Sequence, residues 1–206
     1  MITIIDYDAG NLRSVEKAFL SLGYEVCVSS DPEVIANAER LVLPGVGSFR
    51  DAMDSLKSHG LIESIYASIE KKTPFLGICL GMQMMYEFSE EGDAEGLGIL
   101  KGQIRRFPED MGLKIPQIGW NSLERKQDSV LLSGLDEEPF VYFVHSYYVD
   151  AKEPETVVAT THYGIHPHVL VEKEHIFLTQ FHPEKSGEVG LTMLRNFAEF
   201  MPEDKK

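Results

Sequence analysis

The stretch Pro74-Phe75-Leu76-Gly77-Ile78-Cys79-Leu80-Gly81-Met82-Gln83 constrains the fold of this chain more than any other. Its first part is an apolar run that reads as a buried strand, and Met82, Met84, Met85 and Tyr86 follow at helical positions. Between the two the chain must reverse sharply around Cys79. Glycine at 77 and at 81 leaves room where a Cβ would crowd such a turn. This is the glycine-x-nucleophile-x-glycine elbow with sulfur in place of oxygen. A helix N-terminus behind the apex favours an anion there. The plainer reading of Cys79 is a small buried hydrophobe. Cys27, in the alternating Tyr24-Glu25-Val26-Cys27-Val28, fits that plainer role, because it has no flanking glycines and no helix behind it.

The first half of the chain repeats the strand-then-helix pattern. Residues 2–6, 24–29 and 41–43 read as strands. Helices follow on Val15, Ala18, Phe19 and Leu22, closed by Gly23, and on a segment opened by Asp31-Pro32. Two more are marked by Phe49, Met53 and Leu56, and by Ile62, Ile65, Tyr66 and Ile69. The expectation is an α/β fold with a mostly parallel central sheet and flanking helices. Such open sheets carry their sites at the carboxyl ends of the strands. Both Cys79 and the turn Pro44-Gly45-Val46-Gly47 fall at such ends. In the second half, residues 103–107, 118–123, 140–149, 156–161, 168–172 and 176–181 read as strands joined by short turns, which predicts antiparallel additions to the sheet. A last helix starts at Ser186 as N-cap and runs through Val189, Met193, Phe197 and Phe200. Residues 87–98, acidic and glycine-bearing, read as a surface loop.

With 206 residues and no linker or repeat, a single domain over 1–206 is expected. A formal net charge of −14, with basic spots no longer than Arg105-Arg106 and Lys205-Lys206, argues against nucleic acid. No apolar run approaches membrane-spanning length, and the first six residues make no signal segment. Two differently placed cysteines make no disulfide framework, so a reducing cytoplasm is the expected compartment. His162, His166, His168 and His175 lie close in sequence, but no cysteine is near and Glu172 and Glu174 read as solvated hairpin residues. No metal and no cofactor is expected.

Late in the chain comes Thr179-Gln180-Phe181-His182-Pro183-Glu184-Lys185-Ser186. A thiol nucleophile needs a base to take and return a proton, and the base needs a third group to fix its tautomer and orientation. Cys79, His182 and Glu184 supply those roles, and the proline stiffens the turn between the last two.

These two motifs together resemble the class I, triad-type glutamine amidotransferases. Pro44-Gly45-Val46-Gly47-Ser48-Phe49, Gly119-Trp120-Asn121, Tyr142-Phe143-Val144-His145-Ser146-Tyr147 and the opening Ile5-Asp6-Tyr7-Asp8-Ala9-Gly10-Asn11 are similar to the glutaminase subunits of imidazole glycerol phosphate synthase. The resemblance covers nearly the whole length and implies a flavodoxin-like sheet. It implies hydrolysis of L-glutamine by Cys79, His182 and Glu184, with oxyanion donors at Leu80 and at Val46-Gly47. Gln83, Ser146 and Tyr147 would grip the substrate. The ammonia would pass to a cyclase subunit, a (β/α)₈ barrel. Another class I amidotransferase, or a stand-alone γ-glutamyl hydrolase, is the alternative. One departure is Leu178, where the family usually has glycine four residues before the histidine, and the hairpin before it also diverges. The change bears on how that strand packs against its neighbour.

Overall fold

The structure, a computed structural model, describes residues 1–8 and 11–202. Ala9 and Gly10 of the opening motif, and the pair Lys205-Lys206, lie outside the described residues. The first half runs β1 (Ile2–Ile5), α1 (Leu12–Ser21), β2 (Val26–Ser29), α2 (Pro32–Ala36), β3 (Leu41–Gly45), α3 (Phe49–Ser58), α4 (Ile62–Glu70), β4 (Phe75–Cys79) and α5 (Leu80–Gln83). Next come β5 (Phe88–Ser89), β6 (Ala94–Glu95), β7 (Gly102–Arg106), β8 (Gln117–Ser122), β9 (Glu124–Arg125) and β10 (Phe140–His145). The chain closes with β11 (Tyr147–Ala151), β12 (Val157–Thr160), β13 (His168–Lys173), β14 (Ile176–Thr179) and α6 (Gly187–Glu199).

Five parallel strands in the order β2-β1-β3-β4-β14 form the heart of the larger sheet. This is the doubly wound order in which ligands sit outside the carboxyl ends of the strands. Strands β1, β3, β4 and β14 are buried at every position, as parallel strands covered on both faces must be. Their side chains alternate between two cores. Leu41, Leu43, Phe75 and Leu178 face one layer with α3 and α4. Val42, Leu76, Ile78 and Phe177 face the other, where Phe177 meets Phe197 of α6 at 5.9 Å between ring centroids. Each fully buried side chain of this kind stabilises the fold by about 1.5–3 kcal/mol. Beyond β14 the sheet continues antiparallel through β13, β11 and β7, and β8 and β10 pair as a separate antiparallel ribbon. Asp31 caps α2 by accepting from Glu33 N at 2.8 Å, with Pro32 in the first turn, and Gly23 closes α1 at φ +86.

Four expectations need correction. The helix after Cys79 does not reach Tyr86 but stops at Gln83. The carbonyls of Met84, Met85 and Tyr86, which a longer helix would use, instead accept from Leu97, Gly98, Ile99 and Leu100. Residues 87–98 are therefore no loose loop: they include the β5–β6 hairpin, pinned against the elbow. The expected strand 140–149 is two strands, β10 and β11, which part at Ser146 and enter different sheets. Ser186 stands at the N-cap of α6 but its hydroxyl makes no cap bond. It donates to His182 O at 2.7 Å and accepts from Tyr142 N at 3.0 Å, so it fixes the His182 backbone instead.

Candidate active site

Cys79 ends β4 with φ 54 and ψ −108, a conformation that L-residues avoid unless the surroundings impose it. The two glycines show how it is imposed. A Cβ on Gly81 would stand 1.8 Å from the carbonyl oxygen of Leu43, so the first turn of α5 presses directly on β3. A Cβ on Gly77 would meet Leu178 Cδ2 at 2.7 Å and Gly81 O at 2.9 Å. Leu178 lies opposite Gly77 in the β14–β4 register and fills the space the missing side chain leaves. The departure at Leu178 is thus absorbed by packing. Gly45 pairs with Cys79 across β3 and β4, which brings the Val46-Gly47 turn beside the thiol. Tyr7, fully buried, donates to Pro44 O at 2.8 Å and anchors the base of that turn. Burial and the neighbouring Cys79 charge both raise the Tyr7 pKa, so it stays a neutral donor.

His182 and Glu184 leave the next strand, β14. Nδ1 of His182 lies 2.8 Å from Glu184 Oε1, and both side chains are almost wholly buried, 2% and 1% exposed. A carboxylate oxygen accepts, so Nδ1 carries the proton and Nε2 is the working atom. Asn11 Nδ2 donates to the same oxygen at 3.3 Å. Among the described residues Nε2 is buried without a hydrogen bond of ordinary geometry, and Cys79 is the neighbour that acts on it. Burial would push the imidazole down, but Cys79 and Glu184 outweigh it and raise the His182 pKa. The protonated ring is favoured while the sulfur is anionic.

A cleft of about 270 Å³ opens over this pair of strand ends. Every other residue expected at the site lines it: Val46, Gly47, Leu80, Gln83, Ser146 and Tyr147, together with Cys79 itself. Gly47 is at φ +105, a peptide geometry that glycine permits. Gln83 is turned inward. Its Nε2 donates to Tyr147 O at 3.1 Å and to Gln180 Oε1 at 2.9 Å. Four lining residues fall outside the expected set, Glu91, Pro116, Val144 and His145, and two of them are titratable. Glu91, in the segment read as a loop, accepts from Phe49 N at 2.9 Å, and burial raises its pKa. His145, buried, has Nδ1 at 2.7 Å from Tyr147 O and Nε2 at 3.0 Å from the Gln117 side-chain amide. Burial lowers its pKa to about 4, and the nearby His182 acts in the same direction. The sequence signal for His145 was its place in Tyr142-Phe143-Val144-His145-Ser146-Tyr147; Glu91 had none. Of the sequence cluster of histidines, His166 pairs with Glu124 at 3.0 Å and His168 accepts from Ala151 N at 3.1 Å. Among the described residues no three histidine, cysteine or acidic side chains are grouped to hold a metal ion.

The family model for class-I glutamine amidotransferases matches residues 3–200. The chain is 52% identical over 202 residues, 98% of each chain, to the imidazole glycerol phosphate synthase subunit HisH of Caldanaerobacter subterraneus subsp. tengcongensis. It is 50% identical over 201 residues to the HisH subunit of Chlorobium luteolum, covering 97% of this chain and 100% of that one. Among solved structures, a glutamine amidotransferase superposes with a TM-score of 0.74 at 20% identity, over 96% of this chain and 100% of that one. The PurLQS structure from Thermotoga maritima gives a TM-score of 0.74 at 18% identity, over 96% of both chains. The structural likenesses speak for the fold alone, whereas the sequence matches run through both motifs of the site. The chain belongs to the class-I glutamine amidotransferases and, within them, to the family of imidazole glycerol phosphate synthase HisH subunits.

Proposed function

We propose that this chain hydrolyses L-glutamine to glutamate and ammonia, and that it hands the ammonia to a cyclase subunit that forms imidazole glycerol phosphate in histidine biosynthesis. One observation carries the reading. The strained Cys79 and the buried His182–Glu184 pair leave adjoining parallel strands at the same, carboxyl end of the sheet. In this reading Cys79 thiolate attacks the side-chain carbonyl carbon of glutamine. The charge that moves to the oxygen meets the backbone N–H groups of Leu80 and of the Val46-Gly47 turn. Each such donor contributes about 10²–10³ in rate. His182 gives its Nε2 proton to the departing nitrogen, ammonia leaves, and a thioester remains on Cys79. His182 then takes a proton from water, which attacks the thioester and releases glutamate. Ser146 and Tyr147 hold the amino-acid end of the substrate, Gln83 offers its carbonyl oxygen, and the Glu91 carboxylate suits the substrate ammonium.

Ammonia set free in water would be protonated and lost as a nucleophile, so the acceptor chemistry is assigned to a docked partner. An exposed apolar face supports this. Ile118, Trp120 and Phe140 are 62%, 54% and 57% exposed, and Trp120 packs edge-on to Tyr142. They share the outer face of the β8–β10 ribbon with Val144, which lines the cleft, so the face begins at the cleft mouth. We take it as the docking surface of the cyclase barrel. The reading puts the activity in the cytoplasm, where a free thiol stays reduced.

The test uses the complex with the cyclase subunit. Cys79→Ala should form imidazole glycerol phosphate from ammonium salt at alkaline pH and fail with glutamine. Loss of both activities would refute the division of labour. Glutamine hydrolysis by the isolated chain as fast as by the complex would instead fit a stand-alone γ-glutamyl hydrolase.

A further inference from the structure

Gln180 is fully buried in the turn after β14, and its Nε2 lies 3.6 Å from Cys79 Sγ. We propose that Gln180 is a catalytic hydrogen-bond donor to the Cys79 sulfur, and that Gln83 is the positioning residue that sets its orientation. The proposal rests on the reading of Cys79 as nucleophile and adds a role for two buried amides.

The orientation follows from the groups that cannot change sign. The carbonyl oxygen of Tyr147 can only accept. It takes a hydrogen bond from His145 Nδ1 at 2.7 Å and one from Gln83 at 3.1 Å. The Gln83 atom that faces it must therefore be the amide nitrogen. That nitrogen has a second hydrogen, and it points to the Gln180 side chain at 2.9 Å. The Gln180 atom receiving it must be oxygen, so the Gln180 nitrogen is turned to the sulfur. A main-chain carbonyl of β11 thus fixes, through two amides, a donor aimed at the nucleophile. Gln180 does not line the cleft, and its burial keeps water from competing for the sulfur on that side. A donor held there stabilises the thiolate over the thiol, since hydrogen bonds to charged groups are the stronger ones. When the thioester breaks, the same donor receives the returning thiolate.

The experiment measures alkylation of Cys79 by iodoacetamide against pH, in chains that carry Cys27→Ser so that one thiol is read. Gln180→Met should move the reactivity profile to higher pH and slow labelling at pH below the midpoint on the order of tenfold. Gln83→Met removes both N–H donors, to Tyr147 O and to Gln180 Oε1, and adds no charge beside the sulfur. It should release the Gln180 amide and shift the profile in the same direction, although Gln83 does not touch the sulfur. In the complex with its cyclase partner, Gln180→Met should lower kcat and leave KM for glutamine nearly unchanged, because its side chain lies outside the cleft. Urea midpoints show that each variant is folded, and Gln83→Met carries the test if Gln180→Met does not fold. A folded variant of either residue with the wild-type alkylation profile would overturn the proposal. Labelling of Cys79 in the parent chain no faster at any pH than that of a free thiol would instead count against Cys79 as nucleophile, so the two readings fail by different results.

Discussion

Gly81→Ala should damage both the fold and the reaction, and the size of the damage can be worked from one contact. The added Cβ would stand 1.8 Å from Leu43 O and 2.8 Å from the Leu43 carbonyl carbon. Ordinary contact begins at 3.4 Å, so the elbow and β3 must part by about 1.6 Å. Both partners are backbone, so no rotamer change can relieve the clash. The cost should be about 3 kcal/mol or more. The displacement also falls on both sides of the oxyanion site, because Leu80 precedes Gly81 and the Val46-Gly47 turn follows β3. A shift near 1 Å there costs about 10²-fold in turnover. Gly23→Ala is the control. Gly23 has φ +86 with nothing within 4 Å of the added atom, so it tests dihedral strain without a clash. Its cost should be about 1 kcal/mol, with no change in turnover. Urea denaturation gives the stabilities and glutamine hydrolysis in the cyclase complex gives the rates. Gly81→Ala with wild-type turnover, or no less stable than Gly23→Ala, would refute the reasoning.

Two further outcomes are expected. His145 has its pKa lowered by burial from 6.5 to about 4, so the stability it contributes is full above pH 6.5 and is lost as pH falls toward 4. His145→Gln should therefore lose about 3 kcal/mol less than wild type over that window in urea titrations, and parallel losses would contradict it. Glu184→Gln keeps an oxygen for His182 and Asn11 but removes the charge that helps raise the His182 pKa. Its glutaminase rate should fall less than that of His182→Ala, and a larger fall would mean the roles are misassigned.

Much of this architecture could be read from sequence because its signals are local. The parallel strands are short apolar runs, and each is followed by its helix. Cys79 is flanked by its own glycines, and His182 and Glu184 are two residues apart, so each motif carries its geometry within a few positions. The same cannot be said of the elbow helix. Met82, Met84, Met85 and Tyr86 have helical spacing, yet the carbonyls of the last three are taken by residues 97–100. No pattern around Tyr86 reports a partner that far along the chain. The run Phe140 to Asp150 has the opposite problem. It is β-forming throughout, with no glycine or proline to mark the break at Ser146, so the division between two sheets is decided by pairing with β8 on one side and β7 on the other.

Gln180 shows where local reading must stop. Its residue type was visible beside His182, but a glutamine can present either end of its amide to a neighbour. Which end faces Cys79 depends on Gln83 from α5 and on the Tyr147 carbonyl from β11. These three segments are brought together only because β4 and β14 pair in parallel while β11 reaches the same edge through β13. The donor toward the sulfur is therefore a property of the sheet order. A change that preserved every motif but shifted the place of β11 would keep the triad residues and release the amide that faces them.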